Sequence, residues 1–160
     1  MVALLYDAEL QVASVSGTRL IPMQEWALAY MMPSIGPDEL LTKIIIKPWQ
    51  GAHGYGFQEF ARRHGDFAIA AVGCLLKLDN NIITDISLSI GGVEDVPRRF
   101  SECEDRLRGM RYNIEEIKTD VLEPLDQINY LDDSLVTGTY RRRLLKGLLI
   151  RAIEQAALRV

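Results

Sequence analysis

The sequence predicts an α+β fold, a three-stranded antiparallel sheet followed by three helices, with a smaller β-rich unit ahead of it. Three observations carry this. Two apolar runs, 66–78 and 82–90, flank the tight-turn tripeptide Asp79-Asn80-Asn81. Beyond Gly91-Gly92 the apolar period changes from two to that of a helix. Strands come first and helices afterwards, without the alternation that a parallel βαβ sheet requires. With 160 residues, 48% hydrophobic and 25% charged, the chain is long enough to bury a core without a disulfide or metal staple.

Taken in order, Glu9 to Val15 alternates polar and apolar residues as a half-buried strand. Ser16-Gly17 supplies a turn, and Thr18 to Pro22 returns as the second strand of a hairpin. A short helix is predicted from Met23 to Tyr30, placing Trp26 against that hairpin. Pro33, Gly36 and Pro37 break the chain, and Asp38-Glu39-Leu40-Leu41 reads as a single helical turn opened by an acidic residue. The β-branched run Thr42 to Ile46 predicts a strand that stops at Pro48. Pro48, Gly51, Gly54 and Gly56 mark residues 48–56 as a linker, dividing a unit at 1–50 from one at 55–160.

Tyr55 to Ala61 reads as a strand. Asp66 to Leu78 has two readings, a strand or a segment whose small residues begin with a helical turn; the hairpin turn after it favours strand for most of its length. Its partner, Ile82 to Ile90, is predicted to place Ile82, Thr84, Ile86, Leu88 and Ile90 on one face. Helices follow over Pro97 to Arg108 and Ile114 to Ile128, the second interrupted by Pro124. Asp132-Asp133-Ser134 is a loop. The last helix, Thr139 to Ala157, carries Tyr140, Leu144, Leu145, Leu148, Leu149, Ile153 and Ala156 as one apolar stripe.

Composition excludes several functions. A net charge of −4 gives no reason to expect nucleic acid, and Arg141-Arg142-Arg143 is too short a run to change that. No apolar stretch reaches the ~20 residues that span a bilayer, and Met1 to Asp7 has neither the basic flank nor the length of a signal peptide, so a cytoplasmic location is expected. Cys74 and Cys103 form no C-x-x-C pair and read as small buried hydrophobes. His53 and His64 lack partners at metal-binding spacing, and no Ser, Cys or Asp sits in a nucleophile motif. No metal ligand and no catalytic residue is assigned. Gly51 to Gly56 departs from G-x-G-x-x-G and from the P-loop, which favours a linker. The carboxylates of Glu102, Glu104, Asp105, Glu115 and Glu116 read as a solvated helical face. Arg62-Arg63, before His64-Gly65-Asp66, has two readings. The arginines either pair with nearby acids at a strand end while Gly65 permits a bend, or they form a subunit or ligand surface.

The string from Gly56 through Phe57, Gln58, Glu59, Phe60, Ala61, Arg62, Arg63, His64, Gly65, Asp66, Phe67 and Ala68 resembles the opening of the C-terminal domain of molybdenum-hydroxylase flavin subunits. That family includes the medium subunits of carbon-monoxide dehydrogenase and quinoline oxidoreductase and the flavin region of xanthine dehydrogenase. Further stretches fit in order. Pro37 to Ile44 resembles the end of the preceding flavin-binding subdomain. Gly91-Gly92-Val93 with Pro97-Arg98-Arg99 and Glu104 resembles the sheet-to-helix passage. Thr139 to Leu145, running on to Arg151-Ala152-Ile153, resembles the terminal helix.

The resemblance implies a remnant of the FAD-binding middle subdomain at 1–50 and a flavoprotein C-terminal domain at 55–160. In the family, glycine-rich turns hold the FAD diphosphate; neither matches here, and the chain is expected to start within the middle subdomain, near Ala3 to Glu9. Leu40 and Leu41 match positions that pack on the isoalloxazine ring, Gln58 matches a polar position near it, and Phe57 is the adjacent aromatic. The implied function is that of a truncated FAD subunit. It passes electrons from [2Fe–2S] clusters through FAD to an external acceptor and docks on an iron–sulfur subunit and a molybdopterin subunit. The isolated chain is expected to be inactive, to bind FAD weakly or not at all, and to self-associate into a homo-oligomer through exposed apolar surface. The alternative is a non-catalytic protein-interaction module with the same fold.

Overall fold

A computed structural model describes residues 1–160. One helical turn, α1 (Val2–Leu5), precedes strands β1 (Glu9–Ser14) and β2 (Gly17–Pro22), which pair antiparallel with Leu10 opposite Ile21. Their alternation buries Leu10, Val12 and Ile21 under Met23, Trp26 and Ile35, so Trp26 lands on the hairpin as expected. The helix predicted from Met23 does not extend to Tyr30. Only a 3-10 turn, Met23–Glu25, forms, and β3 (Ala27–Ala29) then pairs with β4 (Met32–Pro33). No side chain caps the N-terminus of that turn, and a nucleus so short gains too few hydrogen bonds to propagate.

The helical turn predicted at Asp38 to Leu41 is also replaced. Pro37-Asp38 is a turn, and Leu40 already opens β5 (Leu40–Ile45), antiparallel to β1 in the sheet order β2-β1-β5. Glu39 explains the change. Its carboxylate accepts from the Gly36 N–H at 2.7 Å and from both Nε and Nη2 of Arg19 at 2.7 Å, which closes the turn and releases the β-branched run into the sheet.

The larger sheet contains β6 (Gly54–Phe60), β7 (Ala70–Asp79), β8 (Ile82–Gly91) and β9 (Arg98–Arg99), antiparallel in that order. Asn80 at φ 49° and Asn81 at φ 64° close the β7–β8 hairpin, the left-handed geometry that suits the twist of adjoining strands. The short β9 is one strand more than predicted; Arg98 and Arg99 pair with Ile90 and Ser89, which delays the next helix, α2, to Ser101–Leu107. The face predicted for β8 changes phase. Lys77 opposes Asp85 and Leu78 opposes Ile83, so Thr84 is an extra residue in a bulge. Ile83 therefore joins Ile86, Leu88 and Ile90 in the core, while Ile82 and Thr84 face outward.

The segment 114–128 forms two helices, α3 (Ile114–Asp120) and α4 (Leu122–Asp126). The break at Val121 lies ahead of Pro124, whose ring would strike the carbonyl four residues back; Pro124 sits in the first turn of α4, where its missing N–H is not needed. α5 (Gly138–Ala157) is capped by Thr137, whose hydroxyl accepts from the Tyr140 N–H at 3.3 Å. The four helices cover one face of the sheet, where Val72, Cys74, Leu76 and the β8 residues meet Phe100, Cys103, Leu107, Ile117, Leu145, Leu149 and Ile153. Each fully buried Leu or Ile contributes roughly 1.5–3 kcal/mol. Cys74 and Cys103 are free and buried there, as expected, and burial pushes both thiol pKa values up. The other face of β7 and β8 is covered by α1, with Leu4 and Leu5 buried and the Ser87 hydroxyl donating to the Leu5 carbonyl at 2.7 Å.

Candidate cofactor-facing surface

The alternation of β6 determines which residues are available to a ligand. Gly54 and Gly56 lie beneath α5, where a Cβ would overlap the carbonyls of Ala156 and Ala152. Tyr55 and Phe57 therefore project from the opposite face. Phe57 pairs with Gly73, whose own missing Cβ would meet a Leu5 methyl, so Phe57 stands beside α1. Both aromatics are exposed, Phe57 at 45%. The Arg159 guanidinium stacks 4.3 Å from the centre of the Tyr55 ring and donates to the Tyr55 carbonyl at 2.9 Å.

Gln58 points the other way, toward α5. Its Nε2 donates to Oε1 of Gln155 at 3.1 Å, and the same oxygen accepts the Phe57 N–H at 2.9 Å. β6 is a sheet edge, and Gln155 with Arg159 occupies backbone groups that an edge strand would otherwise leave open. Sequence reasoning missed Gln155; the only local signal was the alternation of Gly54 and Gly56 with aromatics, which marks a face that a helix can approach closely.

Leu40 and Leu41 lie on β5, in the smaller sheet. Leu40 is 73% exposed and Leu41 is exposed as well. Leu41 opposes Val12 and Leu40 opposes Ala13, so the two leucines leave the strand on opposite sides. The four predicted ring-facing residues thus occupy two strands of two sheets, and each neighbouring pair diverges.

No part of the Gly51 to Gly56 run forms an amide nest for a diphosphate. Gly51 has φ 77°, but Gly54 and Gly56 are extended in β6 and packed under α5. Of the run 48–56 predicted as a linker, Gly54 to Gly56 already belong to β6. No group of three or more His, Cys, Asp and Glu side chains is placed to hold a metal, and no helix is long and apolar enough to cross a membrane.

Two charged sites differ from their sequence readings. Glu104, predicted on a solvated face, is 3% exposed; its Oε1 accepts the Leu88 N–H at 2.7 Å and its two oxygens receive Arg99. The remaining acids of that set are exposed as predicted, Glu102 pairing with Arg98, Asp105 with Arg108 and Glu115 with Lys118. Around Arg62-Arg63, Gly65 at φ 90° supplies the bend, but the arginines are exposed and form no ion pair.

Residues 55–156 match the family model described as the CO dehydrogenase flavoprotein C-terminal domain. The nicotine 6-hydroxylase medium subunit of Paenarthrobacter nicotinovorans is 29% identical over 159 residues, covering 99% of this chain and 56% of that protein. The glyceraldehyde dehydrogenase medium chain of Sulfolobus acidocaldarius is 30% identical over 151 residues, covering 94% and 53%. Among solved structures, reconstituted CO dehydrogenase from Oligotropha carboxidovorans superposes with a TM-score of 0.89 at 25% identity, covering 99% of this chain and 56% of that one. The carbon monoxide dehydrogenase of Hydrogenophaga pseudoflava gives 0.92 at 17% identity, covering 99% and 55%, a likeness of fold. The chain spans about half the length of the curated relatives it matches.

Proposed function

This chain belongs to the CO dehydrogenase flavoprotein family through a C-terminal domain at residues 55–156, and we propose that it acts in the FAD-carrying subunit of a molybdenum hydroxylase. Its role there is to present a rigid aromatic wall to the flavin ring and to dock on an iron–sulfur subunit and a molybdopterin subunit. FAD, when bound, supplies a carrier that takes electrons from [2Fe–2S] clusters and delivers them to an outside acceptor. In this reading residues 1–50 belong to the middle flavin-binding subdomain and 55–160 to the C-terminal domain.

The observation that carries the proposal is Phe57, an exposed aromatic on a strand whose edge is clamped by Gln155. A side chain meant only for the core would be covered. One held open on a fixed backbone offers a planar ligand an apolar surface at little ordering cost. Gln58 then serves as a positioning residue through Gln155, and Leu40 and Leu41 offer apolar surface on either side of β5. Phe57 suits the ring, whereas the glycine run 51–56, with Gly54 and Gly56 extended in β6 and packed under α5, is not built to cradle the diphosphate. The relatives are named as subunits of hydroxylases and dehydrogenases, which favours this reading over a free-standing interaction module.

Two measurements test it. Titration of the 160-residue chain with FAD is expected to give no stoichiometric complex, and purification to give a colourless protein; stoichiometric flavin absorbance would overturn the diphosphate argument. Co-production with iron–sulfur and molybdopterin subunits is expected to yield a complex that retains iron and molybdenum. A chain that leaves both metals behind would sink the docking role.

A further inference from the structure

We propose that Met31 and Met32, at the tip of the β3–β4 hairpin, form a methionine oxidation site through which a peroxide loosens the hairpin from Trp26. The site is separate from the flavin reading above and needs none of its residues. Tyr30 and Met31 make the two-residue turn between Ala29 and Met32, which pair across the hairpin. Met31 takes φ 55°, a left-handed conformation for which glycine or asparagine is the less strained choice. Such outliers concentrate at functional positions. This one holds a thioether out in solvent, Met31 being 85% exposed and Met32 52%.

Oxidation of sulfur follows its exposure and, for a thiol, its thiolate character. The other sulfurs of the chain compete poorly on both counts. Cys74 and Cys103 are buried, and burial pushes both thiol pKa values up, which keeps them protonated. Met23 packs on the cluster of Leu10, Val12 and Ile21, Met110 packs on the helix-covered core, and the Met1 sulfur lies against Gly91. Met31 and Met32 share with Trp26, Ala27, Ala29 and Pro33 a hollow of about 310 Å³ that no charged side chain lines. In the reaction the thioether sulfur attacks one oxygen of hydrogen peroxide. An S–O bond forms, the O–O bond breaks, and the other oxygen leaves as water, carrying the proton that the first gives up. The sulfur is oxidised by two electrons and the peroxide is reduced by two. A sulfoxide is polar, so the oxidised side chains turn from the apolar hollow to water. Only two register pairs, Ala27 with Pro33 and Ala29 with Met32, hold β3 to β4. A two-stranded hairpin of that length is not stable by its own hydrogen bonds, and it opens over Trp26 once the apolar contact is lost.

The test treats the full chain with dilute hydrogen peroxide at neutral pH and follows each methionine by peptide mass spectrometry. Met31 and Met32 are expected to take up oxygen about tenfold or more faster than Met1, Met23 and Met110. Hydrogen exchange of residues 27–33 should rise with sulfoxide formation, and in a Trp49→Phe background the emission of Trp26 should shift to the red. Methionine sulfoxide reductases should reverse both changes. The double variant Met31→Leu/Met32→Leu keeps the apolar cover without the sulfur; it should melt as the unmodified chain does and show neither change at the same peroxide dose. Oxidation of Met23 or Met110 at the rate of Met31 overturns the inference. So does sulfoxide at both tip positions with exchange at 27–33 unchanged, which would leave them as exposed methionines and nothing more. Exchange that rises equally in the double variant assigns the effect to another residue and overturns it as well. Should that variant not fold, reversal by the reductases in the unmodified chain decides: recovery supports the site, and exchange that stays high after the sulfoxides are reduced overturns it.

Discussion

The guanidinium of Arg99 grips the carboxylate of Glu104 through two hydrogen bonds, 2.8 Å from Nε to Oε1 and 2.7 Å from Nη2 to Oε2, with both side chains largely buried. From the same guanidinium Nη1 reaches the Leu4 carbonyl at 3.2 Å and Asp7 at 2.7 Å, so the pair wires the first residues of the chain to the larger sheet. Glu104→Ala leaves the buried Arg99 with only the exposed Asp7 as counter-charge and strips the Leu88 N–H of its acceptor. Breaking one side of such a pair costs about 3–5 kcal/mol. Urea denaturation is expected to show that loss, and hydrogen exchange to show residues 1–8 opening first; a loss under about 1 kcal/mol would mean that water takes the place of Glu104.

Two glycine substitutions are expected to have opposite signs. At Gly56 a new Cβ overlaps the Ala152 carbonyl in α5, so the helix must lift from β6 and strain the Gln155 bridge to Phe57. Overpacking of this kind costs typically 1–3 kcal/mol, and Gly56→Ala should lower the melting temperature by several degrees, at about 2–4 °C per kcal/mol. Gly147, also glycine and inside α5, has open space where its Cβ would lie. Gly147→Ala should raise stability by roughly 0.5–1 kcal/mol. Calorimetry of the two variants side by side decides whether close approach, rather than glycine itself, matters at position 56.

What could be read from the sequence was short-range. Asn80-Asn81 announced its turn because the positive φ values belong to those two residues, and Trp26 reached the hairpin core even though its predicted helix did not form. The phase of β8 was not legible, because the bulge at Thr84 depends on register against β7. Glu104 was read as solvated because its partners arrive from β8 and β9. The candidate site shows the same limit. Phe57 and Gln58 are neighbours in sequence and diverge in space, and what fixes both is Gln155, 98 and 97 positions away.

Glu39 carries the clearest pH dependence. The hydrogen bond from Arg19, followed by that from the Gly36 N–H, lowers its carboxyl pKa from an ordinary 4.5 to about 2. A carboxyl with a depressed folded-state pKa stabilises the fold above its unfolded pKa and loses that contribution as pH falls through the folded one. The window here runs from about 4.5 down to about 2. Glu39→Gln should therefore be less stable than the unmodified chain at pH 6, with a difference that shrinks below the ordinary value and disappears near the depressed one. A difference that stays constant to the bottom of that range would show that shape, and not charge, holds the Gly36 to Glu39 turn.

Arg141 is the buried cation that joins three loops, donating to the carbonyls of Ile69 at 2.8 Å, Gly92 at 2.6 Å and Leu131 at 3.1 Å and pairing with Asp133. A planar fork presents donors from three nitrogens at fixed angles, whereas a lysine presents three donors from one nitrogen on a flexible stem. Arg141→Lys keeps the charge and, with three donors for four acceptors, leaves at least one of them unsatisfied, at about 1–3 kcal/mol where it stays buried. The loss should be local as well as global. Ile69 and the 131–136 loop form the walls beside Phe60 and Tyr140, so hydrogen exchange in 66–69 and 131–136 should rise well above that of the β7–β8 hairpin, which does not depend on Arg141. Uniform acceleration across the whole chain would show that Arg141 supports the core as a unit and does not specifically hold these loops.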